Sequence, residues 1–340
     1  MKIGVLTGGG DCPGLNSVIR AVVRKAAIDG NQVIGFKYGW KGIIENDTTI
    51  LDLKSVSGIL PRGGTILGTS RTNPYKVENG VQKIKDVMAK NQIDALVAIG
   101  GEDTLGAANK LSKDGVNVVG VPKTIDNDLN ATDYTFGYDT ALNIAMECID
   151  RLHTTAESHN RVMVVEIMGR HAGWIALEAG IAGGADIILI PEVKIDIEKV
   201  CDLIKKRHSR GKTFSIVAVA EGAELKETNV TLDKTVDAFG HVRLGGIGQT
   251  IGDMIEKKTG FETRVTVLGH IQRGGSPTAF DRVLGTRFGV AAYDLVKAKK
   301  FGQMASLRGR DIVSVSLQEA VGSLKLVPME FYKLAETFFG

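Results

Sequence analysis

Along the chain, short apolar runs break into glycine, acid or base, and stripes of helical period separate them. The run at 3–6 leads into Gly8-Gly9-Gly10-Asp11, that at 95–99 into Gly100-Gly101-Glu102-Asp103, and that at 116–121 into Pro122-Lys123-Thr124-Ile125-Asp126-Asn127-Asp128. Further on, 162–167 leads into Met168-Gly169-Arg170-His171, 214–220 into Glu221-Gly222, and 265–268 into Gly269-His270. Short, β-branched runs of this kind read as buried strands of a parallel sheet. Between them, Leu15, Val18, Ile19, Val22, Val23, Ala26 and Ala27 form one helical stripe, with Arg20, Arg24 and Lys25 off it on a solvated face. Ala141, Leu142, Ala145, Ile149 and Leu152 form a second, opened by Asp139-Thr140. Alternating strand and helix predicts an α/β fold of two doubly wound, mainly parallel-sheet lobes. Ligands of such sheets bind beyond the carboxyl ends of the strands. Polar residues cluster at those ends, so the expected site is the cleft between the lobes. The stretch 223–258 is the least periodic and most charged, and part of it reads as a surface insertion.

Length and composition narrow the class. The 340 residues predict about two domains. Lys and Arg total 42 against 39 Asp and Glu, a net charge of +3 that points to neither nucleic acid nor a membrane surface. No apolar stretch approaches the ~18 residues of a membrane span, and the first residues lack the pattern of a secretory signal. Cys12, Cys148 and Cys201 are scattered and match no metal spacing, so a reduced, cytoplasmic protein is expected. The 42 glycines gather at strand ends without collagen periodicity.

The chemistry is in those strand-end loops. Gly8 to Gly14 suits either a tight strand–helix turn or an anion held by backbone N–H groups at a helix start. It matches neither a dinucleotide fingerprint, since Pro13 stands where glycine is needed, nor a Walker loop, since Leu15-Asn16 replace Lys-Ser/Thr. Glu102 and Asp103 open a helix, where acids serve as caps and dipole partners. They also suit Mg²⁺ bound mainly through water and phosphate oxygens, which needs only one or two carboxylates. The segment 122–128 is the most informative. An Asx turn explains neither Lys123 and Thr124 nor the acids Asp126 and Asp128 in one loop. Phosphoryl transfer wants that set, with a carboxylate to orient an alcohol and a cation for the moving charge. Arg71, Arg161, Arg170, His171, Arg264, His270 and Arg273 read as basic residues at one end of the sheets, suited to phosphate groups. Trp174 and the Met168 side chain read as packing. A non-catalytic sugar-phosphate sensor would need the arginines but not Asp126, Asp128 and Glu102 together.

In these motifs the chain resembles the 6-phosphofructokinases over essentially its whole length. The resemblance is carried by Gly8 to Asp11, Gly14-Leu15-Asn16, Arg62-Gly63-Gly64-Thr65, Gly100 to Thr104, Thr124 to Asp128, Met168 to Arg170 and the 268–275 segment. It implies transfer of a phosphoryl group to the 1-hydroxyl of fructose 6-phosphate, the glycolytic step, by a Mg²⁺-dependent enzyme. Asp126 would be the general base, supported by Asp128. Thr124, Ile125, Met168, Gly169, Arg170 and Glu221 would hold the sugar, and His270 and Arg273 its 6-phosphate. Arg161 and Arg264 resemble the pair lent by a neighbouring subunit, which implies a homodimer or homotetramer. Gly9 and Arg71 would contact the phosphoryl donor, and Glu102 matches the Mg²⁺ position. The resemblance also implies a donor lobe of 1–137 plus about 272–322, and a sugar lobe of 138–271 plus about 323–340. Arg20 and Arg24 match an effector site, but His153 and Leu53-Lys54 depart from it, so little response to ADP or phosphoenolpyruvate is expected.

Asp103 and Lys123 resemble the pyrophosphate-dependent branch, since the ATP-dependent branch carries glycine at the first and typically at the second. A carboxylate at 103 would meet the α-phosphate of ATP. Two like charges ~4 Å apart at an effective dielectric of ~20 repel by about 4 kcal/mol, roughly a thousandfold in affinity.

Overall fold

The computed structural model describes residues 1–226 and 244–340. Its strands are β1 (Lys2–Thr7), β2 (Gln32–Phe36), β3 (Thr48–Leu51), β4 (Ala95–Gly100), β5 (Val118–Pro122), β6 (Val162–Ile167), β7 (Ile187–Leu189), β8 (Ser215–Ala220), β9 (Thr263–Val267), β10 (Gln303–Arg308) and β11 (Asp311–Ser316). The helices are α1 (Leu15–Ile28), α2 (Trp40–Glu45), α3 (Gly80–Asn91), α4 (Glu102–Lys113), α5 (Tyr138–His159), α6 (Trp174–Ala182), α7 (Ile197–Ser209), α8 (Ile247–Thr259), α9 (Ala279–Lys297), α10 (Leu317–Val321) and α11 (Met329–Glu336).

Two sheets result, ordered β11-β10-β5-β4-β1-β2-β3 and β7-β8-β6-β9. All six apolar runs of the sequence pair in parallel. The antiparallel neighbours are the two outer strands of the large sheet, β3 on β2 and β11 on β10. β1 lies between β2 and β4, so the chain reverses direction across the sheet at that point. α1 packs with Ile3 and Val5 on one face, and α4 with Leu6 and Leu96 on the other. The helices that follow β1 and β4 therefore leave on opposite faces, with a crevice between their connecting loops.

The core on the α1 face is continuous with that of the small sheet. One cluster runs from Ile3 and Val5 through Phe136 and Tyr138 to Val165 and Ile175. α5 carries that continuity, its stripe of Ala141, Ala145 and Ile149 fully buried. Asp281 of α9 fixes the start of this helix, accepting from Gly137 N, Thr140 N and Thr140 Oγ1 at 2.6–2.8 Å. Three backbone and side-chain donors on one buried carboxylate thus replace the cap that Gly137 cannot supply.

The surface insertion expected within 223–258 divides in two. Residues 227–243 lie outside the described residues, whereas α8 packs Ile247, Ile251 and Ile255 against the small sheet. Glycine hid the stripe, because Gly248 and Gly252 occupy its buried face. A Cβ on Gly252 would come within 2.6 Å of Val265 Cγ2, so the helix sits closer to β9 than any side chain would permit. Among the described residues no helix is long and apolar enough to cross a membrane.

Candidate active site

The loops after β1, β4 and β5 converge on a pocket that the loop after β6 closes from the other sheet. Gly9 is held between strand-end loops: its N–H donates to Ser70 O at 3.1 Å and its carbonyl accepts from Thr69 Oγ1 at 2.6 Å. Gly10 has no side chain to keep the guanidinium of Arg273 off its backbone, and Arg273 Nη1 donates to Asp11 O at 3.2 Å. Lys123, 3% exposed, reaches the same loop, its Nζ donating to the Gly10 carbonyl. Burial lowers its pKa, opposed by the negative charge of Asp126 and Asp11. Glu102 and Asp103 form the first turn of α4 and, with Arg71, complete this phosphate-sized, strongly charged wall. Glu102 and Asp103 both also line a neighbouring cavity of about 320 Å³, with Asn73, Tyr75, Gly106 and Lys110, so the two acids stand at the junction of the two spaces.

The β5 loop supplies the acids. Asp126 and Asp128 are 4% and 5% exposed. Thr124 Oγ1 accepts from Asp126 N at 3.0 Å, and Thr124 O accepts from Thr135 Oγ1 at 2.8 Å. Asn127 is left-handed (φ 53°), which turns the carboxylates on either side of it toward the pocket. Oδ1 of Asp126 is buried without a hydrogen-bond partner among the described residues. Buried polar atoms are almost always paired, so this oxygen is an acceptor awaiting a donor. Burial, and next the charge of Asp126, push the Asp128 carboxyl up to about 7, against the pull of Arg170.

Across the cleft, Arg170 is also left-handed (φ 53°), and its side chain lines the pocket. Oε1 of Glu221 accepts from Gly169 N at 3.2 Å and Arg170 N at 3.1 Å, fixing that turn. Burial raises the Glu221 pKa, with the charge of Asp126 adding to it. Met168 N donates to Oε1 of Gln272, which is fully buried. Gln272 lay inside the 268–275 segment without a role in the sequence reading; an amide between two basic residues was the available signal.

Other expectations divide. Ile125 turns into the apolar core at 1% exposure, so its side chain does not line the site. His270 and His171 are exposed, and neither lines the pocket. Arg161 and Arg264 are not at the same end as the other basic residues. They sit at the amino ends of β6 and β9, both paired with Glu262, Arg161 at 2.8 Å. A residue that precedes a strand emerges at the opposite edge from one that follows it, which corrects the grouping of seven.

No cluster of three or more His, Cys, Asp or Glu able to hold a metal exists among the described residues. Glu102, in one pocket with the two aspartates, nevertheless fits Mg²⁺, an ion that takes few carboxylates and completes its shell with water and phosphate oxygens.

The family model for phosphofructokinase matches residues 2–296. A pyrophosphate–fructose 6-phosphate 1-phosphotransferase of Amycolatopsis mediterranei is 60% identical over 345 residues, covering all of both chains. An ATP-dependent 6-phosphofructokinase of Mycobacterium leprae is 55% identical over 343 residues, again covering both completely. Among solved structures, a phosphofructokinase from Saccharomyces cerevisiae superimposes with a TM-score of 0.82 at 32% identity. That match covers 99% of this chain and 46% of the yeast chain, so this chain spans about half the yeast protein's length. With a site of this composition in the cleft between two mainly parallel sheets, and relatives of this similarity end to end, the chain belongs to the phosphofructokinase family.

Proposed function

We propose that this phosphofructokinase transfers a phosphoryl group reversibly from pyrophosphate to the 1-hydroxyl of fructose 6-phosphate, in the cytoplasm and with Mg²⁺. The observation that carries the donor assignment is the position of Asp103 at the junction between the phosphate pocket and the cavity beyond it, with buried Lys123 lining the pocket. A donor of two phosphates ends before that carboxylate. A nucleotide would have to thread its α-phosphate past it. The ATP-dependent reading has the 320 Å³ cavity in its favour, since a nucleoside needs such a space. The charge at its entrance favours the smaller donor.

The chain's own residues divide the work. The sugar's 1-hydroxyl donates to the unpartnered oxygen of Asp126, which aims the hydroxyl oxygen at the phosphorus. As the new O–P bond forms and the bridging P–O bond breaks, orthophosphate leaves, and the hydroxyl proton passes to the aspartate pair. Asp128, with its pKa near 7, suits a pair that must take up and return a proton in a reversible reaction. Lys123 and Arg170 face charge on the transferring group. Gly9 and Arg71 cradle the donor. Thr124, Met168, Gly169 and Glu221 shape the sugar subsite, and Arg273 and His270 serve its 6-phosphate. Mg²⁺ at Glu102 would neutralise charge on the pyrophosphate oxygens. Residues 1–137 with about 272–322 form the donor lobe, and 138–271 with about 323–340 the sugar lobe. Arg161 and Arg264, remote from their own chain's pocket, reach a neighbour's in a homodimer or homotetramer.

Initial rates with MgPPi and MgATP side by side test the donor. Turnover with pyrophosphate at least tenfold above that with ATP is expected. Robust ATP turnover without pyrophosphate activity would overturn it.

A further inference from the structure

The phosphoryl-transfer chemistry leaves a second, half-buried lysine unused. Lys325 lies on the 322–328 segment that joins α10 to α11. Its Nζ donates to Asn127 Oδ1 at 2.9 Å, Thr132 O at 3.0 Å and Asp133 O at 2.8 Å. An ammonium has three protons, and all three are spent on the loop that carries Asp126 and Asp128. Its backbone N–H donates to Asp128 O at 2.8 Å, and Leu324 bridges to Leu129 in antiparallel fashion. On the other side, Trp174 Nε1 donates to Lys325 O at 2.7 Å, and the ammonium lies 5.4 Å from the indole centroid. One residue therefore ties the aspartate loop of the large sheet to the start of α6, just past the Arg170 turn.

Lys325 makes no ion pair among the described residues. Burial pulls its pKa down to about 8, against the charges of Asp133, Asp128 and Glu178. A lysine whose three donors all go to one loop, with no carboxylate among its hydrogen-bond partners, is there for geometry. What it holds is Asn127, whose left-handed backbone is uncommon for a residue with a side chain and whose Oδ1 also accepts from Thr135 N at 3.1 Å. Without the ammonium, Asn127 Oδ1 and the carbonyls of Thr132 and Asp133 each lose a donor, and the turn between the aspartates is free to relax.

We infer that Lys325 is a positioning residue for phosphoryl transfer, holding Asp126 and Asp128 in their productive orientation through Asn127. This rests on the reading that the reaction runs at that pair. The test compares Lys325→Met, Asn127→Ala, their double variant and Asp126→Asn in the full chain, by steady-state kinetics and by hydrogen exchange of the 124–135 segment. Lys325→Met is expected to lower kcat by about tenfold or more, with KM for fructose 6-phosphate and pyrophosphate moving less than about threefold. Exchange over 124–135 should quicken, and the double variant should be no slower than the poorer single. Full loss in Asp126→Asn with native kcat or unchanged loop exchange in Lys325→Met would overturn the inference, as would additive losses in the double variant. Retained kcat in Asp126→Asn would instead sink the reading of the pair itself, and the inference with it. Lys325→Arg keeps the charge but not three convergent donors, so it covers the case in which the methionine variant does not fold. Its kcat should also fall at steady KM, and a native kcat there would overturn the inference equally.

Discussion

Replacing Asp103 with glycine separates the charge argument from every other feature of the site. Asp103 occupies the first turn of α4 and borders both the phosphate pocket and the outer cavity, half-buried. Its repulsion of an α-phosphate ~4 Å away is about 1 kcal/mol at the dielectric of water and about 4 kcal/mol at an effective value of 20. Partial exposure places the real figure between these limits, so Asp103→Gly should tighten MgATP by roughly 5-fold to a thousandfold. Losing an acid from a helix start costs about 0.3–1 kcal/mol of stability, and glycine adds about as much again. That is a few degrees of Tm and too little to unfold the protein. Competitive inhibition of the pyrophosphate reaction by MgATP, before and after the substitution, gives the affinity change directly. An inhibition constant for MgATP that moves less than twofold would refute the exclusion argument, whatever happens to the pyrophosphate rate.

Four further outcomes are expected. Asp126→Asn keeps the shape of the site but removes the negative charge and the proton-accepting carboxylate, so kcat should fall at least about a hundredfold while KM changes little; a rise in KM at unchanged kcat would point to binding alone. The fold raises the Asp128 pKa from 3.8 to about 7, so it favours the protonated acid and loses stability as pH rises through that interval. Asp128→Asn should therefore raise Tm at pH 8, by up to about 4 kcal/mol of stability, with the gain gone below pH 4; an equal gain at both pH values would contradict the assignment. Mixing inactive Arg161→Ala with inactive Asp126→Asn and reassociating the subunits should restore about a quarter of native activity if sites are shared across a two-fold interface; no recovery would place Arg161 outside the neighbour's site. Saturation curves for fructose 6-phosphate should be unmoved by ADP or phosphoenolpyruvate, because His153 is engaged with Gly183 O at 2.7 Å and packed edge-on against Phe214; a shift in half-saturation would show an effector site that works without an arginine there.

The sequence made the central strands legible because burial on both faces leaves a continuous apolar signature. β2, β3, β7, β10 and β11 were not read from the sequence. β3 and β11 are outer strands with exposed faces, such as Ile50 and Val313, and their alternation is diluted by Thr, Ser and Asp. The aspartate loop was legible for a different reason: two acids, a lysine and a threonine at the end of a strand have few structural explanations. What holds that loop was not. Lys325 and Thr135 reach Asn127 from 198 and 8 residues away, and nothing in the local pattern around Lys325 distinguishes it from a surface lysine. Asp281, 144 residues from the helix start that it caps, is equally silent in one dimension.

The misplaced arginines have a geometric cause with a functional consequence. A strand of five or six residues rises about 3.3 Å per residue, so its two ends are roughly 17–20 Å apart. An arginine one position before β6 therefore lies a whole strand length from one that follows it, although both border the same apolar run. Within a single chain Arg161 and Arg264 both pair with Glu262, away from the pocket. For these two to bear on the reaction, a second copy must bring its own pocket to them. The resemblance implies the same arrangement, and β9 makes it physically accessible: it is the outer strand of its sheet, with Val267 and the adjoining Ile271 exposed. Donor choice, by contrast, needs no partner. Relatives with pyrophosphate- and ATP-dependent names match this chain almost equally, at 60% and 55% identity over full length. At that level of identity the proposed donor rests on the acids at the mouth of the 320 Å³ cavity, Asp103 above all, because a carboxylate there acts where the two donors first differ in shape.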